Sequence, residues 1–227
     1  IGLRPDLVIQ SASRREAIEG MQSLDRAGIP VAVFAPKSFS GIFSTMLRLG
    51  KLTGKEQEAG SLVNSLQLRL ANIQTSLGLN QQELTFGNPG SRISANCKTK
   101  KRCRVFFEVR SNPLTAAGRG SIVQDILRFA AAENIVKSDK SLVLYSLEAL
   151  LLNDPDFYLV QTGPMNRNPV DPRERVHFDQ LKAVREGKVL YVDELLFSRP
   201  GPRCVGAVEQ LARALYPECF HGGRQDQ

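Results

Sequence analysis

The chain has 227 residues, of which 42% are hydrophobic and 23% are charged, and this composition is typical of a soluble globular protein with one large or two small domains. No segment approaches the run of about 18 to 20 apolar residues that a membrane-spanning helix needs. The net charge of +7 would suit a nucleic acid, but the basic residues are spread along the chain and form no nucleic-acid-binding motif, so we expect no such partner.

Residues 1–54 have the pattern of part of an α/β lobe. Two short apolar strands flank a stretch with helical spacing, and this order predicts a parallel β-α-β unit followed by a second helix. Two strands alone cannot bury the faces of a sheet, and the first residue is Ile1 rather than Met. We therefore expect that a leader has been removed or that this lobe is incomplete at its N-terminus. The strands are predicted at 7–10 and 31–34, and the helices at 14–27 and 38–52.

Residues 55–77 predict one long amphipathic helix, because apolar residues recur at spacings of three and four along one stripe. Thr53 and Glu56 have the spacing of a capping box, and Gly78 supplies the left-handed residue that commonly ends a helix. Such a helix would be about 34 Å long. Its place between two α/β regions predicts a strut that joins two lobes; the alternative is an ordinary surface helix of a single domain. The stripe consists of Ala59, Leu62, Val63, Leu66, Leu70, Ile73 and Leu77.

The remaining chain predicts an exposed connection at 78–102, a second α/β lobe at 103–217 and a tail at 218–227. The connection is rich in polar residues and glycine and has no period. In the second lobe, strands alternate with helices, which argues for a parallel or mixed sheet covered on both sides. The strands are predicted at 104–109, 156–160 and 188–192, and the helices at 121–132, 146–152, 173–185 and 203–215.

The four cysteines form two close pairs, Cys97 with Cys103 and Cys204 with Cys219. Neither pair has the spacing or the histidine neighbours of a zinc site. We predict two local disulfides in an exported protein, with free thiols in a cytosolic protein as the alternative. A helix predicted between Cys204 and Cys219 would hold them too far apart unless the chain folds back, so a cross pairing with Cys97 or Cys103 also stays open.

The candidate ligand-binding residues lie in the loops that follow strands, because open α/β sheets bind ligands at the carboxyl ends of their strands. In the first such loop, two glycines would let the backbone approach a ligand, and the following helix start would attract negative groups. A later loop offers apolar side chains beside a guanidinium; the alternative is a core edge capped by a surface arginine. The residues expected to face a ligand are Asn112, Pro113, Arg119, Leu196, Phe197 and Arg199.

Catalytic motifs are scarce in this sequence. Its two histidines, His177 and His221, have no partners at the spacing of a metal site, and no nucleophile motif is present. A Rossmann motif and a Walker lysine are also lacking, so we expect no nucleotide cofactor and no metal. The sequence favours a binding protein over an enzyme. The alternative is a doubly wound α/β enzyme that binds a phosphate-bearing ligand at the turn 118–121.

Five segments, in order and spacing, resemble the periplasmic substrate-binding proteins of ABC transporters for vitamin B12, haem and ferric siderophores. The resemblance covers nearly the whole chain except the connection and the tail. It implies two α/β lobes joined by a rigid spanning helix, with the ligand in the cleft between them. The segments are "LRPDLVIQ", "LDRAGIPVAVFAPKSFSGIFSTMLRLGKLTGKEQEA", "RVFFEVRSNPLTAAGRGSIVQDILRFAAAENI", "YSLEALLLNDPDFYLV" and "LKAVREGKVLYVDELLFSRPGPRCVGAVEQLARALYP".

The resemblance also implies partners and a location. We expect a monomeric receptor, periplasmic or anchored on the outer face of the inner membrane, that passes its ligand to an ABC transporter permease. Glu148 matches the acidic residue that such receptors present to the permease from the second lobe. Family members often stack aromatic rings on a flat macrocycle, a role that would fall here to Phe197 or to residues of the N-terminal segment that we expect to be missing. Because Leu195 stands where some B12-binding members carry an acid, cobalamin is only slightly favoured over a ferric siderophore, with haem as the third candidate.

Overall fold

Two parallel strands and a capped helix form the first lobe. The computed structural model describes residues 5–11, 22–79 and 101–220. Strand β1 (Val8–Ser11) pairs in parallel with β2 (Val31–Phe34), and residues 22–26 between them are helical, as the β-α-β pattern predicts. Helix α1 (Phe39–Thr53) starts where the Ser38 hydroxyl accepts a hydrogen bond from the Gly41 amide.

Helix α2 (Glu56–Ser76) is the long helix that the sequence predicts, and it contacts both lobes. It crosses α1 so closely that a Cβ on Gly50 would lie 2.5 Å from Ala59 Cβ. Farther along, Arg69 Nη2 lies 3.2 Å from Glu209 Oε2 on a helix of the second lobe. Gly78 follows it with a φ of 67°, as predicted. The buried stripe is Val63, Leu66, Leu70, Ile73 and Leu77.

Two details of the long helix differ from the prediction. The capping role of Thr53 is wrong, because Thr53 is the last residue of α1 and its hydroxyl donates to the Leu49 carbonyl oxygen. Lys55 occupies the N-cap of α2 and makes no side-chain cap. Leu62, assigned to the apolar stripe, is 46% exposed.

The second lobe contains a six-stranded mixed sheet. Its strands are β3 (Arg104–Arg110), β4 (Thr115–Ala117), β5 (Glu133–Asn134), β6 (Leu142–Leu144), β7 (Phe157–Thr162) and β8 (Val189–Asp193). Their order is β6-β4-β3-β7-β8, with β5 also paired to β3. Strands β5, β7 and β8 run parallel to their neighbours, whereas β4 and β6 are antiparallel to theirs. The sequence missed β4, β5 and β6 because each has only two or three residues.

Alternate residues of β3 enter two separate hydrophobic cores, one on each face of the sheet. Val105 and Phe107 join the core that also contains α1 and α2, whereas Phe106 joins the core on the opposite face. Both faces are therefore covered, as predicted. The helices are α3 (Ile122–Phe129), α4 (Leu147–Asn153), α5 (Lys182–Arg185), α6 (Glu194–Phe197) and α7 (Cys204–Leu215), with 3-10 turns at Pro172–Glu174, Phe178–Gln180 and Pro217–Phe220.

The predicted helix 173–185 is wrong. Two 3-10 turns and the short α5 replace it, because Arg175 adopts an extended backbone and His177 has a φ of 67°. The extended Arg175 turns its guanidinium to the buried carboxylate of Glu108. A tertiary ion pair therefore overrides the local helical pattern. None of the helices within the described ranges is long and apolar enough to cross a membrane.

Both local disulfide pairings are also wrong, because Cys103 and Cys204 are free thiols. Cys204 begins the 12-residue helix α7, which is roughly 18 Å long at 1.5 Å per residue, and Cys219 lies beyond the other end of this helix. Cys97 lies outside the described residues, so the cross pairing of Cys219 with Cys97 stays a prediction.

Candidate ligand-binding site

A cavity of about 640 Å³ lies between the two lobes. Its first-lobe wall is formed by residues at or just after the carboxyl ends of β1 and β2, and its second-lobe wall by residues around β3, α3 and α6. This is the place where strand ends predict a ligand. The lining residues are Ser11, Ala35, Pro36, Lys37, Val109, Ala117, Gly120, Ser121, Ile122, Val123, Ser141, Leu142, Met165, Ser198, Arg199 and Pro200.

A contact between α1 and α3 fixes the two walls relative to each other. The Phe39 amide donates to Asp125 Oδ2 at 2.8 Å, so a second-lobe carboxylate occupies the first turn of a first-lobe helix. The Phe39 ring packs edge-on against the Phe129 ring, with centroids 5.1 Å apart. Lys37 and Ser121, which line the cavity, stand just before these two helices. The docked helix starts therefore position both sides of the cavity.

A buried carboxylate organises the second-lobe wall. Glu194 is fully buried, accepts a hydrogen bond from the Met165 amide at 2.7 Å and binds Arg199 Nη2 at 3.0 Å. Met165 and Arg199 both line the cavity. At Gly163 a Cβ would lie 2.5 Å from the Cβ of Glu194, so only glycine lets this loop approach so closely. One carboxylate thus holds two loops of the wall together.

The turn at 118–121 has a different role from the one the sequence predicts. A Cβ at Gly118 would lie 2.1 Å from the Lys140 carbonyl oxygen, so the glycine admits the neighbouring loop rather than a ligand. The amides of Gly118, Arg119, Gly120 and Ser121 all donate to backbone carbonyl oxygens. The Ser121 hydroxyl donates to the Gly118 carbonyl oxygen and does not cap α3. These amides cannot also cradle a phosphate.

Of the six predicted ligand-facing residues, Arg199 lines the cavity. Asn112, Pro113 and Arg119 are exposed but lie outside the lining, and half-buried Leu196 packs against the core.

Phe197 corrects a prediction. Its ring is fully buried and lies 6.1 Å from the Phe107 ring, centroid to centroid, so it does not face the cavity. The short helix α6 causes this placement, because Glu194 and Phe197 lie three residues apart on the same inward face.

Lys37 and Met165 are the main lining residues that sequence reasoning missed. Lys37 follows β2 and Met165 follows β7, so the strand-end rule could have found both. No group of three or more histidine, cysteine, aspartate or glutamate side chains within the described ranges is arranged to hold a metal ion. The described lining is a mixture of apolar, hydroxyl and cationic groups.

Glu148 lies on the surface in the first turn of α4, where the Ser146 hydroxyl caps the helix by accepting from the Ala149 amide. Its own backbone amide and the Ser146 side chain hold the pKa of Glu148 below its usual value. Leu150 of the same helix is fully buried, so Glu148 faces outward as predicted. Its contact with a permease stays a prediction.

Comparison with known proteins gives relatives but no family model, since none matches the chain. The chain is 28% identical over 223 residues to an uncharacterized ABC transporter substrate-binding lipoprotein, YvrC, of Bacillus subtilis. The match covers 97% of this chain and 65% of the relative, so the chain spans less than two thirds of that protein's length.

Solved structures share the fold. A possible iron-binding (periplasmic solute-binding) protein of Staphylococcus epidermidis is 25% identical with a TM-score of 0.75, covering 95% of this chain and 78% of that one. The periplasmic vitamin B12 binding protein BtuF of Vibrio cholerae is 18% identical with a TM-score of 0.72, and the match covers 97% of this chain and 77% of that one. Periplasmic haem-binding proteins and an Fe3+-hydroxamate transport protein are also similar in fold. The predicted fold of two lobes and a spanning helix, and the resemblance to these substrate-binding proteins, are confirmed.

Proposed function

We propose that this chain is the ligand-binding part of an extracytoplasmic substrate-binding protein of an ABC importer. It captures a ferric chelate, haem or a corrinoid in the cavity between its lobes and delivers it to the permease. The observation that carries the proposal is the position of the cavity, at the strand ends of two lobes that α2 joins, in a fold shared with binding proteins for these ligands.

The geometry supports binding without catalysis. The cavity wall is held by a buried carboxylate that is already bound to an arginine and an amide, so Glu194 is a structural anchor rather than a proton carrier. The alternative enzyme would need free amides at the turn 118–121, and these amides donate to backbone oxygens instead. The protein therefore acts on its ligand by selection and release.

The location follows from the relatives. The Bacillus subtilis relative is a lipoprotein of an ABC transporter, so this protein works in the periplasm or anchored on the outer face of the membrane. It acts as a monomer that meets the permease through Glu148 of the second lobe. Arg199 binds the ligand from within the cavity, and Asn112, Pro113 and Arg119 contact it from exposed positions outside the described lining.

The cysteines offer a separate check on the oxidising location. With Cys103 and Cys204 free, a bridge from Cys219 pairs it with Cys97. Mass mapping of a non-reduced digest of the secreted protein should recover that cross-linked peptide pair. Recovery of all four cysteines as alkylated thiols would argue against the pairing.

Ligand capture is tested by titrating the full-length protein with cyanocobalamin, haemin and a series of ferric siderophores, using calorimetry because the chain has no tryptophan. We expect micromolar or tighter binding of at least one of these ligands, with one ligand per protein. A nucleotide or sugar phosphate serves as the control ligand and should not bind. Tight binding of the nucleotide and of none of the other ligands would contradict the proposal.

A further inference from the structure

Two cationic side chains, one from each lobe, line the cavity. Lys37 follows β2 of the first lobe, and Arg199 follows α6 of the second. Among the described residues that line the cavity there is no aspartate or glutamate, and the remaining side chains are apolar or carry a hydroxyl group. The described wall therefore presents positive charge to a ligand.

Glu194 orients the guanidinium of Arg199 without covering it. Nη2 of Arg199 lies 3.0 Å from Oε1 of the fully buried Glu194, while the Arg199 side chain stays 57% exposed. Its Nε and Nη1 atoms have no hydrogen-bond partner within the described part of the chain. A guanidinium that is held at one nitrogen still has N–H donors for a second anionic oxygen. It also loses little conformational entropy when it binds that oxygen, because its side chain is already held in place.

Lys37 lines the same cavity as Arg199, and its backbone is held in place by the contacts of the two residues that follow it. Lys37 directly precedes Ser38, which is the N-cap of α1. The residue after Ser38 is Phe39, whose backbone amide donates a hydrogen bond to Asp125. The Lys37 side chain is exposed and makes no ion pair with any described residue. A lysine is a compact charge on a flexible stem, so it can follow a ligand that Arg199 holds in place.

We propose that the cavity selects a ligand with anionic oxygen groups, carboxylates in particular, and holds them between Lys37 and Arg199. The inference rests on the proposed function and narrows its ligand class. Haem, through its propionate groups, and a carboxylate-bearing ferric chelate share this chemistry, whereas cobalamin has no free carboxylate and carries a single phosphodiester anion that its cobalt centre balances. A ligand that fills the cavity excludes water from these charges, and their attraction for a carboxylate is then stronger than on an open surface.

Four probes of different charge test the inference on the full-length protein. Haemin and ferric citrate carry carboxylates, cyanocobalamin is neutral, and ferrioxamine B is a cation. Calorimetry should show haemin or ferric citrate binding about tenfold or more tightly than the other two, because a charged hydrogen bond is worth roughly that factor. The affinity should also fall as salt is raised.

Matched variants locate the effect. Lys37→Gln and Arg199→Gln should each lower the affinity for the preferred carboxylate probe about 10- to 100-fold. Lys51→Gln and Arg203→Gln remove exposed cations outside the cavity lining and should leave the affinity unchanged. Since Arg199→Gln also removes a partner of Glu194, Lys37→Gln is the cleaner variant, and a thermal melt of each protein reports whether the fold survives.

The outcomes separate this inference from the proposed function. If cyanocobalamin or ferrioxamine B binds as tightly as the carboxylate probes, or if both cavity variants keep full affinity, selection for an anionic ligand is overturned and the transport function stands. If none of the four probes binds, and none of the ferric siderophores in the wider titration binds either, both are overturned.

Discussion

Glu108 and Glu194 are two fully buried glutamates of the second lobe, and each binds an arginine. They differ in what surrounds the arginine. Glu108 lies in the middle of β3 and holds Arg175, whose side chain is only 11% exposed. Glu194 lies at the cavity wall and holds Arg199, whose side chain is 57% exposed. The same pair of groups is closed off from solvent in one place and open to the cavity in the other.

The closed pair is saturated with hydrogen bonds. Arg175 binds both carboxylate oxygens of Glu108, the Tyr158 hydroxyl donates to Oε2, and Asn166 Nδ2 lies 3.3 Å from Oε1. Arg175 also binds the Val170 carbonyl oxygen and lies 5.2 Å from the centroid of the Phe178 ring. These contacts fasten the long loop after β7 to the sheet, so this pair serves the stability of the lobe.

The open pair of Glu194 and Arg199 makes fewer hydrogen bonds than the closed pair. Glu194 uses one oxygen for the Met165 amide and one for Arg199, and Arg199 also lines the cavity. Desolvating a charge is costly unless it is paired, and each carboxylate meets that condition with an arginine. The comparison teaches that the two pairs differ in exposure of the arginine rather than in burial of the glutamate, and it is the exposed arginine that we propose binds a ligand.

The largest effect is expected from Glu108→Ala. Removing the carboxylate leaves Arg175 and the Tyr158 hydroxyl buried without their acceptor, and breaking a buried pair in this way costs about 3 to 5 kcal/mol of unfolding free energy. Chemical denaturation measures the loss. Glu209→Ala, which breaks the surface pair with Arg69, is the control and should cost no more than about 1 kcal/mol. Equal losses for the two variants would contradict the structural role of the closed pair.

A smaller effect on stability, but a clear one on binding, is expected from Glu194→Gln. The Met165 amide keeps an oxygen acceptor, whereas Arg199 loses its charged partner, so the cost is about 1 to 3 kcal/mol. Ligand affinity should fall as well, because Arg199 is no longer held in place. Glu108→Gln should leave affinity unchanged under conditions where both variants are folded. Unchanged affinity in Glu194→Gln would remove the distinction between the two pairs.

The strand-end rule located the cavity from the sequence because it depends only on the order of strands and loops. It pointed to Arg199, which lies in the lining, and applied to β2 it would also have pointed to Lys37. It could not decide which way a side chain turns within a loop. Phe197 was expected at the ligand and lies in the core, since the loop contains the four-residue helix α6, which no periodicity reveals.

Local patterns failed where a distant residue supplied the stronger interaction. The stretch 173–185 has helical spacing, yet Arg175 leaves the helical conformation to reach Glu108, which is 67 residues away in the chain. The capping box at Thr53 failed because α1 extends through Thr53 to Gly54, whose φ of 66° ends it. Long periodic elements such as α2 were predictable, since their many apolar residues outweigh any single contact.

Tyr158→Phe should show an effect of about 1 kcal/mol with a distinctive pH dependence. Burial and the nearby Glu108 carboxylate hold the pKa of Tyr158 well above its usual value. Because the pKa is higher in the folded state, Tyr158 contributes to the unfolding free energy at a pH below the ordinary tyrosine pKa of about 10. This contribution is lost as the pH rises above that value.

Denaturation between pH 8 and 11 tests this expectation. The unfolding free energy of the unmodified protein should fall more steeply above about pH 10 than that of the phenylalanine variant, which cannot ionise there. If the unfolding free energies of the two proteins fall in parallel with pH, the expectation that the folded protein disfavours ionised Tyr158 would be wrong.

The smallest effect on stability and on ligand affinity is expected from Glu148→Arg, because this carboxylate is fully exposed and shares no contact with either buried pair. Its proposed role concerns the permease, for which an outward carboxylate in the first turn of α4 is well placed. The arginine should therefore lower association with the transporter and ligand uptake, and raised salt should shrink the difference. Glu56→Arg, a first-turn exposed glutamate of α2, is the matched control for the loss of a favourable charge at a helix start. Uptake measured with the full-length receptor separates the two cases: an equal decrease in both variants would assign the effect to helix electrostatics, and unimpaired uptake with Glu148→Arg would exclude this residue from the docking surface.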